Sequence, residues 1–176
     1  GLRKLLTEKL PQDDSLQVRY QLALSLGEFP AAIATRNVAL AELAIKDGAD
    51  PYMRTAILSS AQEGAGDLLL KLRNKVDFRT TAPGREMIKL LATQIGKQQD
   101  ATDVIAVLQA ITKLDKEDPA AFTAIIQALA AKPGRNLDKE LEQITGGKAA
   151  EGMKAVYTRA LKTGDGEKRT SHRGAA

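Results

Sequence analysis

The sequence predicts an all-α fold, an α-solenoid of about four helix pairs, because one helical segment recurs at a fixed offset. Arg19 and Arg54 each stand in the first turn of a predicted helix, 35 residues apart (54 − 19 = 35). At the same offset Val18 matches Met53. Apolar residues along the chain recur at helical spacing, and no two-residue alternation persists. A period in the thirties is typical of stacked helical repeats.

Composition is consistent with closely packed helices. Hydrophobic residues make up 43% of the chain and charged residues 27%, whereas aromatic residues make up only 3% and Trp is absent. The absence of Cys excludes disulfides, thiolate metal sites and covalent haem attachment within this sequence. No apolar run approaches the roughly 18 residues of a membrane-spanning helix, so we expect no membrane insertion. The sequence has no leader pattern, and we expect it to be a fragment of a longer chain.

Polar caps, prolines and glycines mark the predicted helix ends. Ser15 or Asp14 caps the second helix, and Asp50 and Asp118 each precede a proline that opens a helix. Gly27 and similar glycines are expected to close helices. The stretch 77–84 is predicted to be the longest loop. The predicted helices span residues 2–10, 15–27, 30–46, 50–62, 67–76, about 84–95, 100–114, 118–132, 136–144 and 148–162.

Each predicted helix carries an inward-facing stripe. In the second helix the stripe is Val18, Leu22 and Leu26, widened by Leu16, Ala23 and Leu24. The corresponding residues of the later helices are Ile33, Leu40, Leu43 and Ala44, then Met87, Ile88, Leu91 and Ile95, then Val104, Ile105, Val107, Leu108, Ile111 and Leu114, then Phe122, Ile125, Ile126 and Leu129, and finally Met153, Val156, Tyr157 and Leu161.

Two of the segments resemble HEAT repeats of the PBS-lyase-like type. The matching pattern is an Asp, a Val-Arg pair, a small apolar pair and a Leu-Gly ending, carried here by Asp14, Val18, Arg19, Leu22, Ala23, Leu26 and Gly27. Asp50-Pro51 with Met53-Arg54 is similar, and the later segments keep the spacing without the arginine. The resemblance covers roughly residues 11–145. It implies an armadillo-like helical fold and no particular activity.

A narrower resemblance rests on residues 18–28 and 50–61. These stretches are similar to the HEAT segment of large bacterial membrane-bound dehydrogenases. In that family the segment follows a β-propeller and precedes a c-type haem domain, and neither is present in this sequence. The resemblance implies a module of a redox protein, which would be periplasmic or exported. Without it the localisation is unknown, and the cytoplasm is the default expectation.

We expect no catalytic residue, cofactor or metal site in this chain. The lone His172 lies in a basic tail without partners. The carboxylate clusters fall at helix ends or on polar helix faces, where capping and solvation explain them. They are Asp13 with Asp14, Asp115 with Asp118, and Glu140 with Glu142. The glycines at 64–66 and 146–147 lack the strand and the Gly-Lys-Ser/Thr context of a phosphate-binding loop.

Arg19 and Arg54 have two interpretations. Equivalent positions in stacked repeats would place each arginine within reach of an acidic cap, Asp14 or Asp50, as a structural ladder. Alternatively the two guanidinium groups could bind a carboxylate or phosphate ligand. The ladder is the favoured interpretation.

The net charge of +4 is unevenly distributed. Basic residues dominate one span, and they form a possible patch for an anionic partner: Lys71, Arg73, Lys75, Arg79, Arg85 and Lys89, extended by Lys97. Nucleic-acid binding is not favoured, because stacking aromatics are nearly absent and the charge is small. A solvated basic face is the simpler interpretation.

The sequence therefore predicts a non-catalytic helical-repeat domain over residues 1–162 and a flexible basic tail or linker over 163–176. Its expected role is a scaffold for a protein partner or for neighbouring domains of its parent chain. A module of a propeller and c-type haem dehydrogenase-like protein is the first alternative, and a nucleic-acid-binding repeat domain is the second.

Overall fold

The computed structural model describes residues 4–29, 33–98, 102–111, 113–131, 137, 157–160 and 162. Within these residues the chain is helical and contains no strand, so the predicted all-α class is confirmed. None of the described helices is both long enough and apolar enough to span a bilayer. The predicted helix at 136–144 apart from Leu137, most of the predicted helix at 148–162, His172 and the predicted tail at 163–176 lie outside the described residues.

The chain divides into two compact units, Gly1–Gln94 and Ile95–Ala176. Unit 1 begins with a π-helical turn, Leu5–Lys9, and a 3₁₀ turn, Leu10–Gln12. Its helices are α1 (Leu16–Ser25), α2 (Ile33–Asp47), α3 (Pro51–Ser60), α4 (Ala65–Arg73), the short α5 (Val76–Arg79) and most of α6 (Ala82–Lys97). A 3₁₀ turn, Leu26–Glu28, extends α1.

Short polar side chains start the helices, as predicted. The Val18 backbone N–H donates to Ser15 Oγ at 3.4 Å, so Ser15 is the N-cap of α1. Asp50 Oδ1 accepts from the backbone N–H groups of Tyr52 and Met53 at 2.8 and 2.9 Å. Gly64 begins α4 at φ 76°, in the left-handed region that favours glycine. The Ser15 and Asp50 side chains satisfy first-turn N–H groups that have no partner within the helix.

In unit 1 the main packing partner of a helix is the helix two positions further along the chain. α1 packs against α3, α2 packs against α4, and α2 also contacts α3. The core between them is aliphatic and fully covered, with Leu40, Leu43, Met53, Ile57, Leu68, Leu69 and Leu72 all at 0% exposure. This packing holds α1 and α3 side by side.

Unit 2 contains α7 (Thr102–Ala110), the single turn α8 (Leu114–Glu117) and α9 (Pro119–Leu129). Asp118 caps α9 by accepting from the Ala121 backbone N–H at 3.1 Å, as the Asp-Pro pair predicts. Phe122 of α9 packs on Tyr157 with ring centroids 5.4 Å apart. The Tyr157 hydroxyl donates to the Leu108 carbonyl of α7 at 2.9 Å. This buried tyrosine therefore ties its segment to α7 and α9.

Several predicted details are wrong. Leu16, Val18 and Leu24 are exposed rather than buried, because Leu22, Ala23 and Leu26 already fill the inner face of α1. The stretch 77–84 is not a loop, since α5 occupies its start and α6 begins at Ala82. The Thr81 hydroxyl accepts from the Gly84 N–H at 3.1 Å and so caps α6. The first segment is helical as predicted, in the form of π and 3₁₀ turns at residues 5–12, and it continues past its predicted end at residue 10.

Candidate interaction site

A groove opens between the N-terminal halves of α1 and α3. The cavity there has a volume of about 470 Å³, within the range of small-molecule and side-chain pockets. Its lining combines two tyrosines, two glutamines, two aliphatic side chains and one carboxylate: Leu16, Gln17, Tyr20, Gln21, Asp50, Tyr52 and Met53. The groove is thus apolar and aromatic, with a single acidic group.

Large apolar side chains border this groove without being covered. Leu16, Tyr20 and Leu24 are 46%, 36% and 38% exposed, and their four-residue spacing places them on one face of α1. Tyr52, in the first turn of α3, is 74% exposed. Single exposed apolar residues are ordinary. A contiguous group along one groove is typical of a contact surface.

A second, polar cavity of about 500 Å³ lies between the C-terminal ends of α1 and α3. Its lining contains one arginine, two glutamates and several small or amide side chains: Leu24, Gly27, Glu28, Arg36, Ser59, Ser60, Gln62 and Glu63. Arg36 is buried and donates through a terminal nitrogen to the Glu63 carbonyl. Glu28 and Glu63 are both exposed.

Gly27 and Ser60 hold the two helix ends close together. The Ser60 hydroxyl donates to the Ala23 carbonyl at 2.6 Å, and a longer 3.3 Å contact reaches the Leu24 carbonyl. A Cβ on Gly27 would lie 2.9 Å from Ser60 Oγ and 3.1 Å from Ser60 Cα. Gly27 therefore serves close helix approach, since it does not adopt a positive φ.

The structure gives Arg19 a different acidic partner from the one the sequence suggests. Its Nε and one terminal nitrogen donate to the two oxygens of Asp47 at 2.6 and 2.8 Å, a bidentate pair. Its other terminal nitrogen donates to the Asp13 carbonyl. Within the described residues no hydrogen bond or ion pair joins Arg19 to Asp14.

Arg54 is held by backbone instead of by a carboxylate. One terminal nitrogen donates to the carbonyls of Gly48 and Ala49 at 2.9 and 3.0 Å. Asp50, its expected partner, caps α3. Arg19 and Arg54 thus both make structural hydrogen bonds, but their partners are not the acidic caps that the sequence predicts.

One contact recurs along unit 1: an arginine donates to a carbonyl six residues earlier. Arg19 reaches Asp13, Arg54 reaches Gly48, and Arg79 reaches Arg73 at 3.2 Å. Each acceptor lies at or just beyond the end of the preceding helical segment, where carbonyls lack intrahelical partners. We call this contact the arginine clamp. It ties one helix to the end of the one before.

The charge state of Arg19 follows from these contacts. The hydrogen bonds that Arg19 donates to Asp47 raise the pKa of Arg19 above its ordinary value, and the negative charges of Asp47, Asp13 and Asp14 add to this effect. Burial acts in the opposite direction but is outweighed. Arg19 therefore stays protonated wherever the protein is folded, so its clamp persists across the neutral pH range.

Two buried polar residues of α2 went unnoticed in the sequence. Arg36 holds the Glu63 carbonyl, and the Asn37 amide donates to the Gly64 carbonyl at 2.8 Å and to Asp67 at 2.9 Å. Asn37 falls on the same helical stripe as Leu40 and Ala44, so a polar residue in a predicted core stripe was the signal. Together they fix the turn between α3 and α4.

The basic span is only partly available to a ligand. Lys71 pairs with Asp67 at 3.3 Å, and Arg79 is engaged in a clamp. Arg73 donates to the Asn74 side chain at 3.0 Å. The remaining members of the patch, Lys75, Arg85 and Lys89, are exposed. Over the part of the chain that the structure describes, no three His, Cys, Asp or Glu side chains cluster as metal ligands would.

None of the protein families, curated proteins or solved structures with which the chain was compared matches it. The resemblance to HEAT repeats, and the narrower resemblance to the dehydrogenase segment, therefore stay predictions that rest on the residues themselves.

Proposed function

We propose that the chain is a non-catalytic, HEAT-type helical-repeat scaffold of about four helix pairs that binds a protein partner or neighbouring domains of its parent chain. The observation that carries this proposal is the packing order of unit 1. α1 packs on α3 and α2 packs on α4, so first helices contact first helices and second helices contact second helices. This order is typical of stacked helix pairs, in which each repeat buries its apolar face only against its neighbours.

The distribution of charged groups favours binding over catalysis. Catalytic carboxylates work in pairs whose environments separate their pKa values. In unit 1, Asp50 caps a helix and Asp47 is committed to Arg19 in a bidentate pair. The exposed apolar residues along the groove between α1 and α3 suit a protein contact.

Nucleic-acid binding receives less support from the geometry. Three of the six residues of the basic patch, Lys71, Arg73 and Arg79, already bond to protein groups. A phosphate-tracking surface needs several free cations and aromatic faces for stacking. The exposed cations left in the patch are Lys75, Arg85 and Lys89.

Deleting residues 1–49 tests the repeat architecture. The deletion removes α1 and α2 and uncovers Met53, Ile57 and Leu68, which are fully buried in the intact chain. We expect the remaining chain to self-associate, as sedimentation velocity would show, because its first repeat loses its covering neighbour. A folded, soluble monomer with unchanged helical circular dichroism would contradict stacked repeats.

Partner capture tests the function itself. We expect the intact chain to retain a protein from extracts of its source cells, and the purified pair to bind in isothermal titration calorimetry. Binding of a small substrate with turnover, and no protein partner, would contradict the scaffold. A Cys-x-x-Cys-His motif downstream and a β-propeller upstream in the parent gene would instead favour the redox module.

A further inference from the structure

The two cavities follow each other along the same pair of helices, α1 and α3, and from here on the word groove covers both of them. The first lies between the N-terminal ends of both helices and the second between their C-terminal ends, so α1 and α3 run in the same direction. The α1 residues that line them, Gln17, Tyr20, Leu24 and Glu28, recur at spacings of three and four and therefore share a helix face. From position 16 to position 28 the groove is roughly 18 Å long, at a rise of about 1.5 Å per residue.

The groove changes character along its length. Its first half is apolar and aromatic, with Tyr20 and Tyr52 exposed on opposite walls. Its second half carries Glu28 and Glu63, both exposed. An amphipathic ligand with one apolar end and one positively charged end would match these two halves.

The accessible charge of the groove is negative. Glu28 and Glu63 make no ion pair among the described residues. Asp50 uses Oδ1 for both capping bonds, which leaves Oδ2 available in the first half of the groove. The one cation in the lining, Arg36, is 3% exposed and already donates to the Glu63 carbonyl. An occupant therefore meets carboxylates and not cations.

We propose that this groove binds a basic amphipathic helix of a partner protein. Its apolar side chains pack between Tyr20 and Tyr52, and its Lys or Arg side chains reach Glu28 and Glu63 one to two turns further on. Parallel helices form a groove that accepts a third helix through anchors at i, i+3 or i+4, and i+7. A length of roughly 18 Å accommodates about 12 helical residues. This inference rests on the proposed scaffold function and names its contact surface.

A displayed library of random peptides of about 14 residues, panned against the intact chain, tests the groove. We expect enrichment of sequences with apolar residues at helical spacing followed by Lys or Arg. Synthetic versions of the enriched peptides are then titrated by fluorescence anisotropy at physiological salt. Peptides that bind at the groove without any basic residue would refute the predicted charge preference.

Two groove variants and two matched controls locate the binding. Tyr20→Ala combined with Tyr52→Ala removes the aromatic walls, and Glu28→Lys combined with Glu63→Lys reverses the acidic end. Each is expected to raise the Kd at least about tenfold, as loss of interface anchors does. The controls Val38→Ala and Glu86→Lys change exposed residues outside the groove, and we expect less than about a twofold change. Circular dichroism melts verify that all variants fold.

The outcomes separate this inference from the function on which it rests. Peptides that bind the groove variants as tightly as the intact chain would refute the groove while leaving a peptide-binding scaffold intact. Failure to enrich any peptide would refute the groove as a helix-binding site, whereas the scaffold function is tested separately by the partner capture described above. Self-association of the chain that the groove variants abolish would identify a second copy as the occupant and overturn the partner helix.

Discussion

Arg19 and Arg54 occupy equivalent positions 35 residues apart, yet different groups hold them. Both donate to a carbonyl six residues earlier, Asp13 for the first and Gly48 for the second. Arg19 adds a bidentate bond to Asp47 and is 7% exposed, whereas Arg54 is only half-buried. The clamp to the backbone is the shared element, and the carboxylate is an addition.

The sequence explains why only Arg19 has the carboxylate. Its partner, Asp47, is the last residue of α2. The residue 35 positions after Asp47 is Ala82, which offers no acidic group. The offset of six residues is preserved in both cases, because it needs only backbone. The two segments thus share the backbone contact, while only the first has a carboxylate beside its arginine.

The largest expected effect is that of Arg19→Ala. Removing the guanidinium leaves Asp47, whose side chain is 12% exposed, without its bidentate partner. We expect the free energy of unfolding in urea to fall by about 3 kcal/mol, since an unpaired, mostly buried charge is costly. Arg19→Lys should recover only part of the loss, because an ammonium cannot make the forked contact. A loss below about 1 kcal/mol would contradict the structural role of the pair.

Arg54→Ala is expected to cost less. Its bonds are to neutral carbonyls on a half-exposed side chain, and we expect a loss of about 1 kcal/mol. Arg85→Ala, at an exposed position, is the matched control and should change stability by less than about 0.5 kcal/mol. An Arg54→Ala variant as stable as the control would revive the interpretation of Arg54 as a ligand-binding residue.

The presence of the helices could be predicted from the sequence, because caps and apolar stripes are local signals. Ser15, Asp50 and Asp118 are N-caps in the structure as the sequence indicates. The start of α6 was mispredicted, since Pro83 and Gly84 are typical of turns and only the cap at Thr81 shows that the helix begins there. Residue types that serve both turns and helix starts need the tertiary structure to decide between them.

The hydrogen-bond partners of the arginines were the least predictable feature. Arg19 was expected to meet the nearest acid in sequence, Asp14, but Asp47 is 28 residues away and is brought in by the packing of α2. The groove could not be predicted from the sequence either, because the spacing of Leu16 and Leu24 fits the core stripe of the helix. The structure shows them exposed, 46% and 38%. Apolar residues of an interaction surface have the same spacing as those of a core.

The smallest expected effect is on nucleic-acid binding. Such binding would depend on the exposed cations of the basic patch and not on the arginines held in clamps. A phosphate-tracking surface would lose about three units of salt slope when Lys75, Arg85 and Lys89 are replaced with Ala. We expect only weak binding at low salt in fluorescence anisotropy, and none near physiological salt, where the screening length is about 8 Å. Micromolar binding that persists at physiological salt would establish a nucleic-acid function.

A pair of double-mutant cycles tests the central claim most directly, that Asp47 and not an acidic cap pairs with Arg19, and that the acidic cap Asp50 does not hold Arg54. One cycle combines Arg19→Ala with Asp47→Ala, and the other combines Arg54→Ala with Asp50→Ala, with stabilities from urea unfolding. We predict a coupling energy of about 2 kcal/mol for the first pair and less than about 0.5 kcal/mol for the second. Strong coupling between Arg54 and Asp50, with none between Arg19 and Asp47, would contradict the account.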